Sequence, residues 1–218
     1  MKHLKGFGHQ LLLGMFLATA ALPASSDPVG DEVRKIQLGW ERATYQAPLH
    51  DQSKLLEALA EEARQATTTH AGKAEVLIWE GIVLSSLAGA KGGLGALGIA
   101  KRARTRLEEA LRIDDKALDG SAYNSLGVLY YRVPGWPIGF GDKHKAEWML
   151  RKALSINPDG IDPNYFYGDF LVSTGRPSEA LAYLEHALAA KPRPGREIAD
   201  AGRRAEAAAL LEKARSQL

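Results

Sequence analysis

Apolar and small residues recur along this chain with the spacing of amphipathic helices, and one helical register repeats at intervals of a helix pair. The clearest unit, 161–194, is 34 residues long. It has Gly168 on a first helix and Ala180 and Ala187 on a second, and Pro192 follows where the second helix must end. Strict alternation of apolar and polar residues appears only in short runs, so the pattern predicts an all-α protein.

The length of this unit and its alternation of small and large residues are typical of a tetratricopeptide repeat. The same register occurs three times upstream, with a first-helix glycine at Gly39, Gly81 and Gly127. We therefore predict a helix-turn-helix solenoid as a single domain over 27–218. Its predicted repeats cover approximately 30–68, 74–117, 120–160 and 161–194, followed by a capping helix over 198–218.

The repeat at 120–160 carries seven extra residues between its two helices, because Gly127 and Ala146 are too far apart for the 34-residue pattern. This segment holds Trp136, Ile138 and Phe140 among several prolines and glycines, so it is not a regular helix. Either the loop folds back onto the groove between repeats or it presents an apolar patch to a partner, and both can hold at once.

The repeat at 74–117 has ten extra residues, and residues 93–98 spell G-x-G-x-x-G there. A dinucleotide-binding fingerprint needs a strand before it and a parallel sheet around it. The residues before this segment fit the first helix of a repeat instead. We therefore expect an inter-helix insert over 89–98, whose role the sequence leaves open.

Residues 1–26 have the layout of a secretory signal peptide, with a short basic region followed by the apolar stretch 11–22. That stretch is shorter than the roughly 20 residues needed to cross a bilayer, so no permanent membrane anchor is expected. Since the chain has no cysteine, neither lipidation at a cysteine nor a disulfide is possible. We predict a periplasmic or secreted protein.

The charge of the chain becomes balanced once the leader is set aside. Of the 28 Lys and Arg residues, Lys2 and Lys5 lie in the leader, which leaves 26 against the 26 Asp and Glu residues. A neutral body lacks the basic surface that binding to a phosphate backbone requires, so no nucleic-acid partner is expected.

Catalytic and metal-binding patterns are also missing from the sequence. The four histidines beyond the leader stand alone without H-E-x-x-H spacing, and no G-x-S-x-G motif occurs. We expect no enzyme activity, no metal and no cofactor. The basic residues from Lys91 to Arg106 are expected to pair with Glu108 and Glu109 on an exposed helix face, with an anionic ligand or partner as the alternative.

The repeat register predicts which side chains face the concave groove. When each glycine is counted as the eighth position of its helix, positions two, five, nine and twelve face inward. They are Glu75, Ile78, Ile82 and Ser85, then Ser121, Asn124, Val128 and Tyr131, then Asp162, Tyr165, Asp169 and Val172. Because Trp136 follows Tyr131 closely, we expect one composite site for a partner or ligand. Its predicted residues are Ile78, Ile82, Asn124, Val128, Tyr131, Trp136, Phe140, Asp162, Tyr165 and Asp169.

Part of the chain resembles the T-component family of tripartite periplasmic transporters. The resemblance lies in the segment from Val133 to Asp142, the following Lys145-Ala146 and the turn 157–163. The resemblance implies an exported repeat protein that associates with a periplasmic solute-binding partner rather than catalysing a reaction. This chain differs from the lipoprotein members of that family because it has no lipidation cysteine. Two functions are compatible with the sequence: an interaction scaffold accessory to solute transport, and a carrier of a small amphiphilic ligand in a pocket between the helices, closed by the two inserts.

Overall fold

The fold is described by a computed structural model for residues 27–218, and the predicted leader lies outside the described residues. Within this range the backbone forms nine α-helices and no β-strand, which confirms the all-α prediction. In chain order they are α1 (Pro28–Glu41), α2 (Leu49–Thr69), α3 (Ala74–Lys91), α4 (Gly93–Ile113), α5 (Ala117–Arg132), α6 (Lys143–Ile156), α7 (Ile161–Ser173), α8 (Pro177–Ala189) and α9 (Glu197–Arg215). A π-helical turn, Arg42–Gln46, continues α1.

Successive helices pack as four pairs, and a glycine on each first helix lies directly against a leucine on its second helix. A Cβ atom on any of these glycines would lie 2.6–2.7 Å from a leucine carbon. The contacts are Gly39–Leu59, Gly81–Leu107, Gly127–Leu150 and Gly168–Leu184. The absence of a side chain therefore sets the close approach of each pair, and the predicted glycine register is confirmed in all four repeats.

The glycine-rich segment 93–98 is not an insert between helices, which corrects the expectation from the sequence. Helix α3 ends at Lys91 and α4 begins at Gly93, with the left-handed residues Gly92 and Gly93 making the turn (φ 58° and 62°). The ten extra residues instead lengthen both helices of the pair, to 18 residues in α3 and 21 in α4. The element before the segment is a helix, so the strand that a dinucleotide fingerprint needs is not there.

The last helix closes the inner face of the solenoid by reaching the first repeat. Helix α9 packs on α7 and α8 and also contacts the π-helical turn. Gly202 leaves room for the ring of Tyr45, and the Tyr45 hydroxyl donates a hydrogen bond of 3.5 Å to Glu206. Arg196 pairs with the buried Glu41, 155 positions away in sequence. The C-terminal capping helix thus packs on the last repeat and also reaches the first.

Buried side chains form a nearly continuous core from α1 to α9, with a small separate cluster where α8 meets α9. Between residues 27 and 218, no helix combines the length and the apolar character needed to cross a bilayer.

Candidate functional site

A cavity of about 310 Å³ lies on the inner face of the solenoid, where α3, α5 and α7 meet the two ends of the described chain. Its size falls at the lower end of the range for small-molecule pockets, about 300–1,000 Å³. Four of the predicted binding residues line it, namely Ile82, Asn124, Val128 and Asp162. The cavity therefore coincides in part with the groove that the repeat register predicts.

The wall contributed by α3 and α5 is rich in small hydroxyl groups. Ser85 and Ser86 come from α3, and Ser121 and Ser125 from α5. Ser85 and Ser121 donate hydrogen bonds to carbonyls of their own helices, at 2.7 and 2.5 Å. Ser86 accepts a hydrogen bond of 2.8 Å from the indole of Trp40. This side of the cavity is polar but carries no charge.

The opposite wall comes from the chain ends, which were not among the predicted site residues. Trp40 and Tyr45 lie on the first repeat, and Arg196, Arg203 and Glu206 lie on or next to α9. The repeat register does indicate the residues of this wall near α9 when it is extended to that helix. With Gly202 as the eighth position, positions two, five, nine and twelve become Arg196, Ala199, Arg203 and Glu206, and all four line the cavity.

Arginine and carboxylate side chains form an ion-pair network along this wall. The ion-pair network consists of five linked groups and one separate pair. The linked groups are Arg193, Arg203, Asp162, Asp200 and Glu206, and the separate pair is Arg196 with Glu41. Asp162 accepts hydrogen bonds from Arg193 at 2.6 Å and from Arg203 at 2.8 Å. Burial alone would raise the pKa of Asp162, but the two guanidinium groups outweigh it and lower the pKa to about 2.

This pKa predicts how acid should affect stability. Because the pKa of Asp162 is lower in the folded protein than its ordinary value of 3.8, the carboxylate stabilises the fold above about pH 4. That contribution, about 2 kcal/mol, is lost as the pH falls from about 4 to 2. We expect Asp162→Asn to be less stable than the wild type at pH 7 but to lose about 2 kcal/mol less over this interval. Urea unfolding at a series of pH values measures the difference, and parallel pH profiles for the two proteins would contradict it.

The other predicted binding residues do not line the cavity. Ile78 is fully buried in the core, because its helix packs on neighbours over most of its surface. Tyr131 donates a hydrogen bond of 2.5 Å to Asp169, which also pairs with Arg132. Burial, with the charge of Asp169, holds the pKa of Tyr131 well above its ordinary value. The contacts of Tyr131 and Arg132 with Asp169 hold α5 against α7.

Tyr165 is covered by the ion-pair network rather than exposed to a ligand. The guanidinium of Arg203 lies over the Tyr165 ring at 4.6 Å and over the Phe166 ring at 4.3 Å. Burial, reinforced by the charge of Glu206, raises the pKa of Tyr165 to about 12. Phe166, at the next position, is the aromatic residue of α7 that lines the cavity.

The segment between α5 and α6, residues 133–142, forms a separate exposed loop. Trp136 is 90% exposed and Ile138 is 68% exposed, whereas Phe140 packs edge-on against Tyr130 and lies beneath Arg104. Trp136 does not line the cavity, so the loop lies apart from it, and a single composite site stays a prediction from the sequence. Phe140 anchors the loop on the α4 side of α5, away from the inner face.

Two basic residues in the middle of α4 pair with the glutamates that the sequence predicts. Arg104 lies 3.7 Å from Glu108 and Arg106 lies 3.2 Å from Glu109. Arg106 also lies 3.1 Å from Glu80, which is buried in α3. Among residues 27–218, no three His, Asp or Glu side chains converge as a metal-binding group would require.

Comparisons with known proteins agree with this architecture. A family profile described as tetratricopeptide repeat matches residues 139–201. The fold is similar to the crystal structure of a thermophilic TPR protein from Thermus thermophilus, with a TM-score of 0.57, 20% identity, and coverage of 85% of this chain and 97% of that one. The crystal structure of MamA is similar at a TM-score of 0.44 and 18% identity, over 77% of this chain and 92% of that one. No curated protein sequence gives a significant match.

Proposed function

We propose that this tetratricopeptide-repeat solenoid is an exported scaffold that binds a partner protein through the loop at residues 133–142. Repeat solenoids of this kind present extended surfaces to other proteins, and their inserted loops lie on those surfaces. The observation that carries the proposal is the exposure of two large apolar side chains, Trp136 and Ile138, on one short segment. Tryptophan is among the residues that most often dominate the binding energy of an interface.

The loop is held in one shape before any partner arrives. The backbone amide of Gly141 donates a hydrogen bond of 2.9 Å to the carbonyl of Pro134. The backbone amide of Asp142 donates one of 2.8 Å to the carbonyl of Tyr130. Asp142 then caps α6 by accepting a hydrogen bond of 3.0 Å from the Lys145 amide. A side chain presented by a preformed loop loses little conformational entropy on binding, which favours affinity.

The partner we propose is a periplasmic solute-binding protein, which would make this chain an accessory component of solute transport. Two features of the sequence support this choice. The predicted signal peptide would export the chain, and the segment around the loop resembles the T-component family. A scaffold role needs no catalytic residues on this surface.

Replacing the exposed side chains of the loop should weaken capture of the partner. We expect Trp136→Ala to reduce affinity by more than about tenfold and Ile138→Ala by a smaller factor, because both lose apolar area that the partner would cover. The measurement is a pull-down from a periplasmic extract of the source organism, followed by affinity determination with the purified solute-binding protein. The Leu49→Ala variant is the matched control, since Leu49 is 86% exposed at the start of α2. Undiminished capture by both loop variants, or equal loss with the control, would contradict the proposal.

A further inference from the structure

The inner cavity contains buried polar atoms that no other residue satisfies. Trp79 Nε1, Asn124 Oδ1 and Thr44 Oγ1 are enclosed and have no hydrogen-bond partner within residues 27–218. All three residues line the cavity, and the side chains of Trp79 and Asn124 are only 4% and 7% exposed. Buried polar groups are almost always hydrogen-bonded, so unpaired ones on three residues that line the same cavity point to a ligand or ordered water there.

The cavity offers these atoms from three different elements. Thr44 comes from the π-helical turn, Trp79 from α3 and Asn124 from α5. An indole N–H can only donate and the amide oxygen of Asn124 can only accept, whereas a hydroxyl can do both. A molecule that satisfies all three must therefore carry an acceptor together with a donor.

The charges of the wall are already used within the protein. In the ion-pair network, three arginines (193, 196 and 203) face four carboxylates (41, 162, 200 and 206), and each of the seven groups has a partner. An anionic ligand would compete with the carboxylates for guanidinium groups. A cationic ligand would have to displace an arginine. Since an uncompensated charge in a desolvated site is strongly unfavourable, the wall selects against both.

Aromatic rings supply the apolar part of the cavity. Trp40 packs edge-on against Trp79 and against Tyr45, with ring centroids 6.0 and 5.6 Å apart, and Phe166 adds a ring from α7. The indole N–H of Trp40 already donates to Ser86, so Trp40 contributes ring surface rather than a free donor. Such rings favour a ligand with a flat apolar face.

We propose that this cavity binds a small, uncharged, planar molecule that has both a hydrogen-bond donor and an acceptor, such as an aromatic amide or a heterocyclic base. The volume of about 310 Å³ equals that of about ten water molecules, which fits one ring system with a short substituent. This site goes beyond the proposed scaffold role, since Trp136 and Ile138 take no part in it.

Three compounds of the same shape test the charge selectivity: benzamide, benzoate and benzamidine, which are respectively neutral, anionic and cationic at pH 7. The full chain is labelled with ¹⁵N in its tryptophans, and each indole N–H signal is assigned with a Trp→Phe variant. We expect benzamide to shift the Trp79 signal saturably with a Kd in the ~millimolar range, as suits a fragment of this size. The Trp136 signal should stay in place. Benzoate and benzamidine should bind at least about tenfold more weakly.

Trp79→Phe removes the free donor but keeps an aromatic ring, so it should weaken benzamide binding by about tenfold, as followed through the Trp40 signal. Trp148→Phe is the matched control, because Trp148 is 58% exposed on α6 and does not line the cavity; binding followed through the Trp79 signal should change less than about threefold. If Trp79→Phe does not fold, Asn124→Ala is tested in its place with the same expected loss. Tighter binding of benzoate or benzamidine, no benzamide shift up to about 20 mM, or a shift of Trp136 alone would each overturn the proposal.

Discussion

Gly168→Leu is expected to lower the free energy of unfolding by about 3 kcal/mol, which corresponds to a fall in Tm of roughly 10 °C for a chain of this length. A Cβ atom at this position would lie 2.7 Å from Leu184 Cδ2 and 2.8 Å from its Cγ, so a larger side chain must push α7 and α8 apart. Thermal and urea unfolding measure the effect. Gly95→Leu is the control, because no atom lies within 4 Å of its Cβ position and leucine favours a helix.

A double-mutant cycle distinguishes a steric clash at the α7–α8 crossing from a general loss of stability caused by any substitution. Leu184→Ala removes the atoms that a Cβ on Gly168 would meet. We therefore expect Gly168→Ala to be less destabilising in the Leu184→Ala background than in the wild type, with a coupling of about 1 kcal/mol. Equal losses of stability for Gly168→Leu and Gly95→Leu, or additive effects in the cycle, would count against the register.

Arg203→Met is expected to destabilise the protein by about 3–5 kcal/mol, because it leaves carboxylates without their buried partner. Arg203 donates to Asp162 at 2.8 Å and to Glu206 at 2.5 Å, and its guanidinium covers two aromatic rings of α7. Methionine keeps much of the apolar stem but supplies no donor. Urea unfolding at pH 7 provides the measurement.

The same helix offers a matched control for this variant. Arg215 also forms two ion pairs, with Glu212 at 2.8 Å and Glu185 at 3.1 Å, but its side chain is half exposed. Exposed ion pairs contribute little, so Arg215→Met should change stability by less than about 1 kcal/mol. If the two variants lose similar stability, the ion-pair network contributes no more than surface charges do.

The fold could be predicted from the sequence because its determinants are local and repeated. One glycine and one leucine set each helix crossing, and such a pair recurs in every repeat from Gly39–Leu59 to Gly168–Leu184. The segment 89–98 was predicted as an inter-helix insert because its repeat is ten residues longer than the pattern, and its glycines also disfavour a helix. Ala96 and Ile99 pack against the core, which favours the helix over that local propensity.

The candidate site was harder to predict because it is assembled from residues far apart in sequence. The register of one repeat predicts that Asn124 and Val128 line the middle of the cavity wall. Trp40 and Arg203 enter only when the same register is applied to the atypical repeats at the two ends. That Trp136 lies elsewhere depends on the Phe140 contact with Tyr130 and Arg104, which no spacing in the sequence indicates.

The contact of α9 with the first repeat changes how the chain can come apart. In an open solenoid each repeat touches only its neighbours, so stability is nearly a sum along one dimension and the ends can fray independently. Here Glu41 pairs with Arg196 and Tyr45 bonds to Glu206 across 155 and 161 positions, which raises the contact order of the fold. The terminal helices therefore lose these contacts together. Amide hydrogen exchange of α1 and α9 should accordingly be coupled, with both ends opening as a single cooperative unit.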